Sequence, residues 1–292
     1  MKTASENKMK YKAILPYFGG KRNLAARIVE ALGPHKTYWE PFCGSMAVLF
    51  AKKPCEMETV NDLHGDLINL ARVIRDEELG FKLYEKLART LYSEELFREA
   101  KEWISAPGIN GETDIDRAYD YFVASWMGLN GVSGTARYNY QFAVRWCRGG
   151  GQGATRWQSV IESMPAWHKR LRSVVIMHRD AFEVLGNIRD SGDTAIYCDP
   201  PYFDKSDKYV HDFEGEDHKR LAEALRMFRK SKVVVSYYDC PQVRTLYEGF
   251  EIVSMGKSYA SLRNATRGEK KKPRKEQTEV LLVNSKACGL FE

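Results

Sequence analysis

Short apolar, β-favouring runs recur along this chain with helical periodicity between them, and then vanish for about a hundred residues. The runs fall at 37–40, 58–62, 174–177, 194–198, 232–236, 250–253 and 279–283. Continuous rather than alternating apolar character marks strands covered on both faces, as in parallel sheets. Residues 76–173 hold no such run. They read as two charged amphipathic helices over 77–103, a third over 114–127, a loop rich in Gly, Asn, Tyr and Arg over 128–153, and one helix over 157–172. The third helix carries Ala118, Tyr121, Phe122, Ser125 and Trp126 on one face, an apolar stripe that suits a core. Strands alternating with helices on both sides of 76–173 predict one parallel-rich α/β sheet, built from 1–75 and 174–292 and interrupted by a mainly helical insertion.

Asp199-Pro200-Pro201-Tyr202 follows the fourth run directly. Neither proline can donate to a strand ladder, and Pro200 drives Asp199 into an extended conformation. The acid and the ring are thereby held on a stiff turn at a strand's C-terminal end, where open α/β sheets bind ligands. Three other strand or turn ends carry chemistry. Tyr17 and Lys21 flank Gly19-Gly20. This is not a phosphate loop, because the upstream glycine is missing and Arg22 stands where Ser or Thr is required. Phe42-Cys43-Gly44 forms a turn between a strand and a helix. A single glycine there falls short of the dinucleotide fingerprint, which disfavours a nicotinamide-dependent reductase. Asp62 ends the second run and reads first as a helix cap, second as a ribose ligand; Asp180 follows the third run. Residues 203–217 are polar and suit a lid.

Net charge is +6, but residues 263–275 and residues 137–172 each sum to +6, so the remainder is acidic. Two concentrated basic stretches on an acidic body point to a polyanion with a defined footprint. Six scattered cysteines without Cys-x-x-Cys spacing make a disulfide framework or a zinc site unexpected. A polar, lysine-containing start and no span-length apolar run imply no membrane association and a cytoplasmic setting.

Pro16-Tyr17-Phe18-Gly19-Gly20-Lys21, Glu40-Pro41-Phe42-Cys43-Gly44-Ser45, Asn61-Asp62 and Asp199-Pro200-Pro201-Tyr202, with Tyr237-Tyr238-Asp239 after them, occur in an order that resembles the Dam-type (class alpha) DNA adenine-N6 methyltransferases. The resemblance implies a Rossmann-like, seven-stranded S-adenosylmethionine-dependent methyltransferase sheet, with 76–173 as the target-recognition domain. It implies S-adenosylmethionine as methyl donor, no metal, and double-stranded DNA as partner; a separate restriction nuclease is left open. Tyr17 and Lys21 would line the methionine end of the donor. Phe42, Cys43 and Gly44 would form its turn, which Met46, standing where relatives often carry a small residue, would narrow; Asp62 would take the ribose, and Asp180 would lie near its adenine. Asp199, also placed beside the donor, and the Pro200 carbonyl would accept the hydrogens of the target amine, with Tyr202 stacked on an extruded base. Leu129, Asn130, Arg137, Asn139 and Arg145 would read DNA, and Lys270, Lys271 and Lys272 would hold phosphates. Methylation of a cytosine amine or of RNA, and a catalytically inactive DNA-binding relative, are the alternatives.

Overall fold

A computed structural model of the chain describes residues 13–17, 19–105, 113–128, 141–144, 153–203, 213–259 and 276–284. Its centre is a seven-stranded sheet of β1 (Thr37–Glu40), β2 (Met57–Asn61), β3 (Val174–Met177), β4 (Thr194–Cys198), β5 (Lys232–Tyr238), β6 (Phe250–Tyr259) and β7 (Glu276–Asn284), in the order β3-β2-β1-β4-β5-β7-β6. The first five run parallel, whereas β7 lies antiparallel to both β5 and β6. From β1 the chain steps outward through β2 to β3, then returns to β1's other side for β4 and β5. The order therefore reverses between β1 and β4, and a crevice opens above their C-terminal ends.

The two-residue period of a strand sorts β4 between two cores. Ala195 and Tyr197 join one apolar cluster, Ile196 and Cys198 the other, and all four are at most 1% exposed. The first cluster takes in α1 (Ala25–Leu32), α2 (Ala47–Ala51) and α3 (Gly65–Arg75). The second contains α10 (Gly215–Arg226) and α11 (Pro241–Leu246) and borrows Leu185 from α9 (Ala181–Gly186). The strand-free region supplies α4 (Glu77–Ala88), α5 (Glu94–Ser105), α6 (Ile115–Met127), α7 (Gly153–Ile161) and α8 (Met164–Leu171).

These five helices share the first apolar cluster with the sheet: Phe122, Trp126, Trp157 and Trp167 are buried alongside Val60 and Ile68. The aromatic face of α6 is thus core. Polar staples fix the join. Arg117 grips Asp66 of α3 at 2.8 and 2.9 Å, and Asn69 exchanges hydrogen bonds with the backbone of Asp114. Glu58 of β2 lies between Lys52 and Arg170, with the guanidinium 2.5 and 2.8 Å from its two oxygens. The indole N–H of Trp126 donates to the Ile14 carbonyl at 3.0 Å, which ties α6 to the segment leading into Tyr17.

One helix expected over 157–172 is in fact two. Pro165 lies in the first turn of α8, where it has no N–H to give the preceding turn and its ring would crowd the carbonyl four residues back. The helix after β2 starts at Gly65, capped by the His64 ring rather than by Asp62. Among the described residues no helix is long and apolar enough to cross a membrane.

Candidate active site

A cavity of about 1070 Å³, its open mouth included, occupies the crevice above β1 and β4. Its floor is the turn leaving β1. Gly44 takes φ 44°, and Met46 takes φ 60° in the left-handed region, the sole non-glycine there among the described residues. Asp62 stabilises this turn: one carboxylate oxygen accepts the Gly44 N–H at 2.8 Å and the other the His64 N–H at 3.0 Å. Asn61 completes the clamp, donating to the carbonyls of Pro41 and Arg179 while accepting the Arg179 N–H at 2.9 Å. The expected cap at Asp62 is therefore a turn-holding carboxylate. A Cβ on Gly44 would come within 3.2 Å of the Tyr17 ring, so the turn and the ring form a close-fitting wall. Met46 does not narrow it. Its side chain is fully buried and outside the cavity lining, because the left-handed backbone turns it into the core.

Tyr17, Lys21, Phe42, Cys43, Gly44, Asp62, Asp180 and Asp199 all line this one cavity. Asp180 also caps α9, accepting the N–H groups of Phe182 at 2.9 Å and Glu183 at 3.4 Å. Burial keeps the Cys43 thiol neutral, pushing its pKa well above the usual thiol range. Across the mouth, Phe182 and Phe213 lie nearly parallel with centroids 6.3 Å apart.

The acidic side of the cavity is built on Lys21. Its ammonium contacts Asp199 Oδ1 at 2.9 Å, Glu279 Oε1 at 3.3 Å and the Gly19 carbonyl at 2.8 Å. Asp199 is 19% exposed, and Oδ2 has no hydrogen-bond partner among the described residues. Burial is the largest influence on Asp199 and, only partly offset by Lys21, pushes it up to about 6. Glu40 lines the same cavity and accepts the Tyr38 hydroxyl at 2.8 Å. Burial, reinforced by the Asp199 charge, pushes it up to about 8. Near neutral pH Asp199 is thus mostly ionised and Glu40 mostly protonated.

Pro200 and Tyr202 are absent from the cavity lining. Tyr202 is 5% exposed, edge-on to Tyr238 at 4.6 Å and tilted against Tyr237 at 5.6 Å, with the Lys21 ammonium 4.9 Å above its ring. Its hydroxyl sits 3.2 Å from Asp199 Oδ1 and 2.9 Å from Glu279 Oε1. The open stacking platform expected from the sequence is, in this arrangement, a buried ring that holds Asp199 from behind, since aromatic packing outweighs exposure. Leu129, Asn130, Arg137, Asn139, Arg145, Lys270, Lys271 and Lys272 lie outside the described residues.

Glu40, Asn61 and Glu279 escape the sequence reading as site residues. A signal exists for Glu279, the acid that opens the otherwise apolar run 279–283. Antiparallel register sets it opposite Tyr238, which brings it beneath a turn about eighty residues earlier. Among the described residues, no group of His, Cys, Asp or Glu is placed to hold a metal ion.

Residues 17–261 match the model of the D12 class N6 adenine-specific DNA methyltransferases, and the chain belongs to that family. It is 27% identical over 295 residues to a type II methyltransferase of Lactococcus lactis subsp. cremoris, covering 97% of this chain and 99% of the relative. It is 26% identical over 280 residues to the retron Ec67 DNA adenine methylase of Escherichia coli, covering 94% and 92%. A type II methyltransferase of Methanocaldococcus jannaschii is 28% identical over 274 residues, covering 84% and 90%. The activity is adenine-specific methylation of DNA, with S-adenosylmethionine as the methyl donor. The cavity suits that donor: it offers carboxylates and an ammonium for a zwitterionic end, a glycine wall without a Cβ, and aromatic rings for a base.

Proposed function

We propose that Asp199 is the catalytic acceptor, drawing one hydrogen of an extruded adenine's amine toward its free Oδ2 while the Pro200 carbonyl accepts the other. One observation carries this reading: Asp199 faces the cavity with Oδ1 held from behind by Lys21 and Tyr202, and with Oδ2 unengaged by any described residue. An adenine amine is a poor nucleophile because its lone pair is delocalised into the ring. Preorganised acceptors favour the tetrahedral amine that attacks, and they do so without rearranging during the reaction. The donor, when bound, supplies a methyl group on positively charged sulfur, so direct displacement calls for neither a metal nor a covalent enzyme intermediate. Tyr17, Lys21, Phe42, Cys43, Gly44, Asp62 and Asp180 hold the donor, and Tyr202 orients Asp199. The base must leave the duplex for its amine to meet a cavity this enclosed.

Residues 76–173 form the target-recognition domain of this reading, with Leu129, Asn130, Arg137, Asn139 and Arg145 reading double-stranded DNA and Lys270, Lys271 and Lys272 on phosphates. Their composition supports this, cations among rings and glycines. Protection of host DNA against a panel of restriction nucleases tests for a companion nuclease. Incubating wild type and Asp199→Ala with DNA and methyl-labelled donor, then mapping every modified base, tests the chemistry. The variant is expected to lose methyl transfer by about 10²-fold or more while donor binding persists in part. A wild-type rate removes Asp199 from the role.

A further inference from the structure

Methylating an amine leaves a proton to be cleared, and the arrangement behind Asp199 accounts for it. The Tyr202 hydroxyl owns one hydrogen yet touches two carboxylate oxygens, at 3.2 and 2.9 Å. That one hydrogen points to either acid or is shared between them, so the hydroxyl links the two carboxylates directly. Lys21 spans the same two acids and also contacts the Gly19 carbonyl. Among the described residues, the other titratable groups facing this cluster are Glu40 from β1, Tyr197 and Cys198 from β4 and Tyr237 from β5.

We propose that Asp199, the Tyr202 hydroxyl and Glu279 form a proton path that carries the amine's surplus proton out of the cavity to Glu279. The path rests on the reading of Asp199 as the amine's acceptor. The nitrogen–carbon bond forms as the sulfur–carbon bond breaks, sulfur keeping the electron pair. The nitrogen then sheds one proton to Asp199. Asp199 passes a proton to the Tyr202 oxygen while the Tyr202 hydroxyl hydrogen moves to Glu279, which leaves Asp199 ionised and Tyr202 unchanged. Glu279 is placed for this by its register opposite Tyr238 and is 6% exposed, so bulk water competes poorly with it. Glu40 cannot substitute, because burial keeps its own proton on near neutral pH.

Glu279→Gln keeps the shape and the hydrogen bonding but cannot take the proton. In single-turnover assays with DNA and labelled donor over roughly pH 6 to 9, we expect its rate to fall about tenfold or more at the acidic end. The deficit should shrink as pH rises and solvent accepts the proton, with donor KM changed by less than about twofold. A second readout is infrared: one turnover should raise a protonated-carboxyl band in wild type that Glu279→Gln lacks. Tyr202→Phe, which keeps the ring packing, should reproduce both effects. An equal deficit at every pH, or an unchanged infrared band, makes Glu279 a structural partner only and overturns the path. Asp199→Ala separates the two ideas. If it methylates at the wild-type rate, the underlying reading fails. If it is inactive while Glu279→Gln follows the wild-type pH profile, the path alone fails.

Discussion

Glu58 and Asp199 are both carboxylates tied to lysine, one on β2 and one just past β4 of the same sheet, and they behave in opposite ways. Glu58 is the single acid between two cations, Lys52 and Arg170, and its side chain is 1% exposed. Burial alone would raise it, but hydrogen bonds from Arg170 and Lys52 outweigh that and hold it below the usual carboxylate range. Around Lys21 the ratio is inverted: Asp199 and Glu279 contact one ammonium, and Glu40, kept protonated by burial, lies nearby. There burial wins, and Asp199 rises to about 6. The first cluster holds its one acid ionised and fastens the insertion to the sheet. The second is short of positive charge and so keeps protons within reach of exchange. The balance of cations to carboxylates, rather than burial or the presence of an ion pair, separates the fastening from the working site.

The comparison breaks first at its cations. Lys21→Met should cut methyl transfer by about 10²-fold or more. Lys21 holds Asp199 down, so its loss should also move the acidic limb of the pH–rate profile upward; an unmoved limb ends the claim that Lys21 sets this charge. Arg170→Met should instead cost stability, about 3–5 kcal/mol by denaturant unfolding, since Glu58 is left buried with one partner fewer. The protein that remains folded should turn over near the wild-type rate.

Glu40→Gln sharpens the contrast by pH. Because the folded state raises Glu40 to about 8, its contribution to stability is fully present below the ordinary value near 4.5 and is lost as pH rises through about 8. Relative to wild type, the variant should therefore gain stability across that window, on the order of 2–4 kcal/mol at its upper end. Thermal melts at both ends of the window check the sign. The smallest effect lies outside both clusters. Neutralising Lys270, Lys271 and Lys272 together should lower the slope of log affinity for DNA against log salt by up to about 3. An unchanged slope removes them from the phosphate contacts.

How far the sequence discloses this follows from which interactions are local. The residues of β1, β3 and β4 are legible to their ends, because short runs buried on both faces have few other ways to fold. The cavity-lining motifs are legible because each sits at a strand's end or in a glycine turn. Glu279 is not, since only the antiparallel register of β7 against β5 carries it beneath Asp199. Tyr202 is half legible: its position on the turn can be read, but its burial against Tyr237 and Tyr238 depends on a strand about thirty-five residues later. The break before α8 was available in Pro165, yet apolar periodicity runs across it.

The hydrogen bond from Trp126 to Ile14 has an engineering consequence. It joins the middle of the inserted helices to the backbone just ahead of the glycine-lysine corner, so the insertion is not a detachable cartridge. A chimera that exchanges 76–173 with a relative's segment but retains its own residues 13–17 would inherit a mismatched seam, and a graft aimed at new DNA specificity should move the two pieces together.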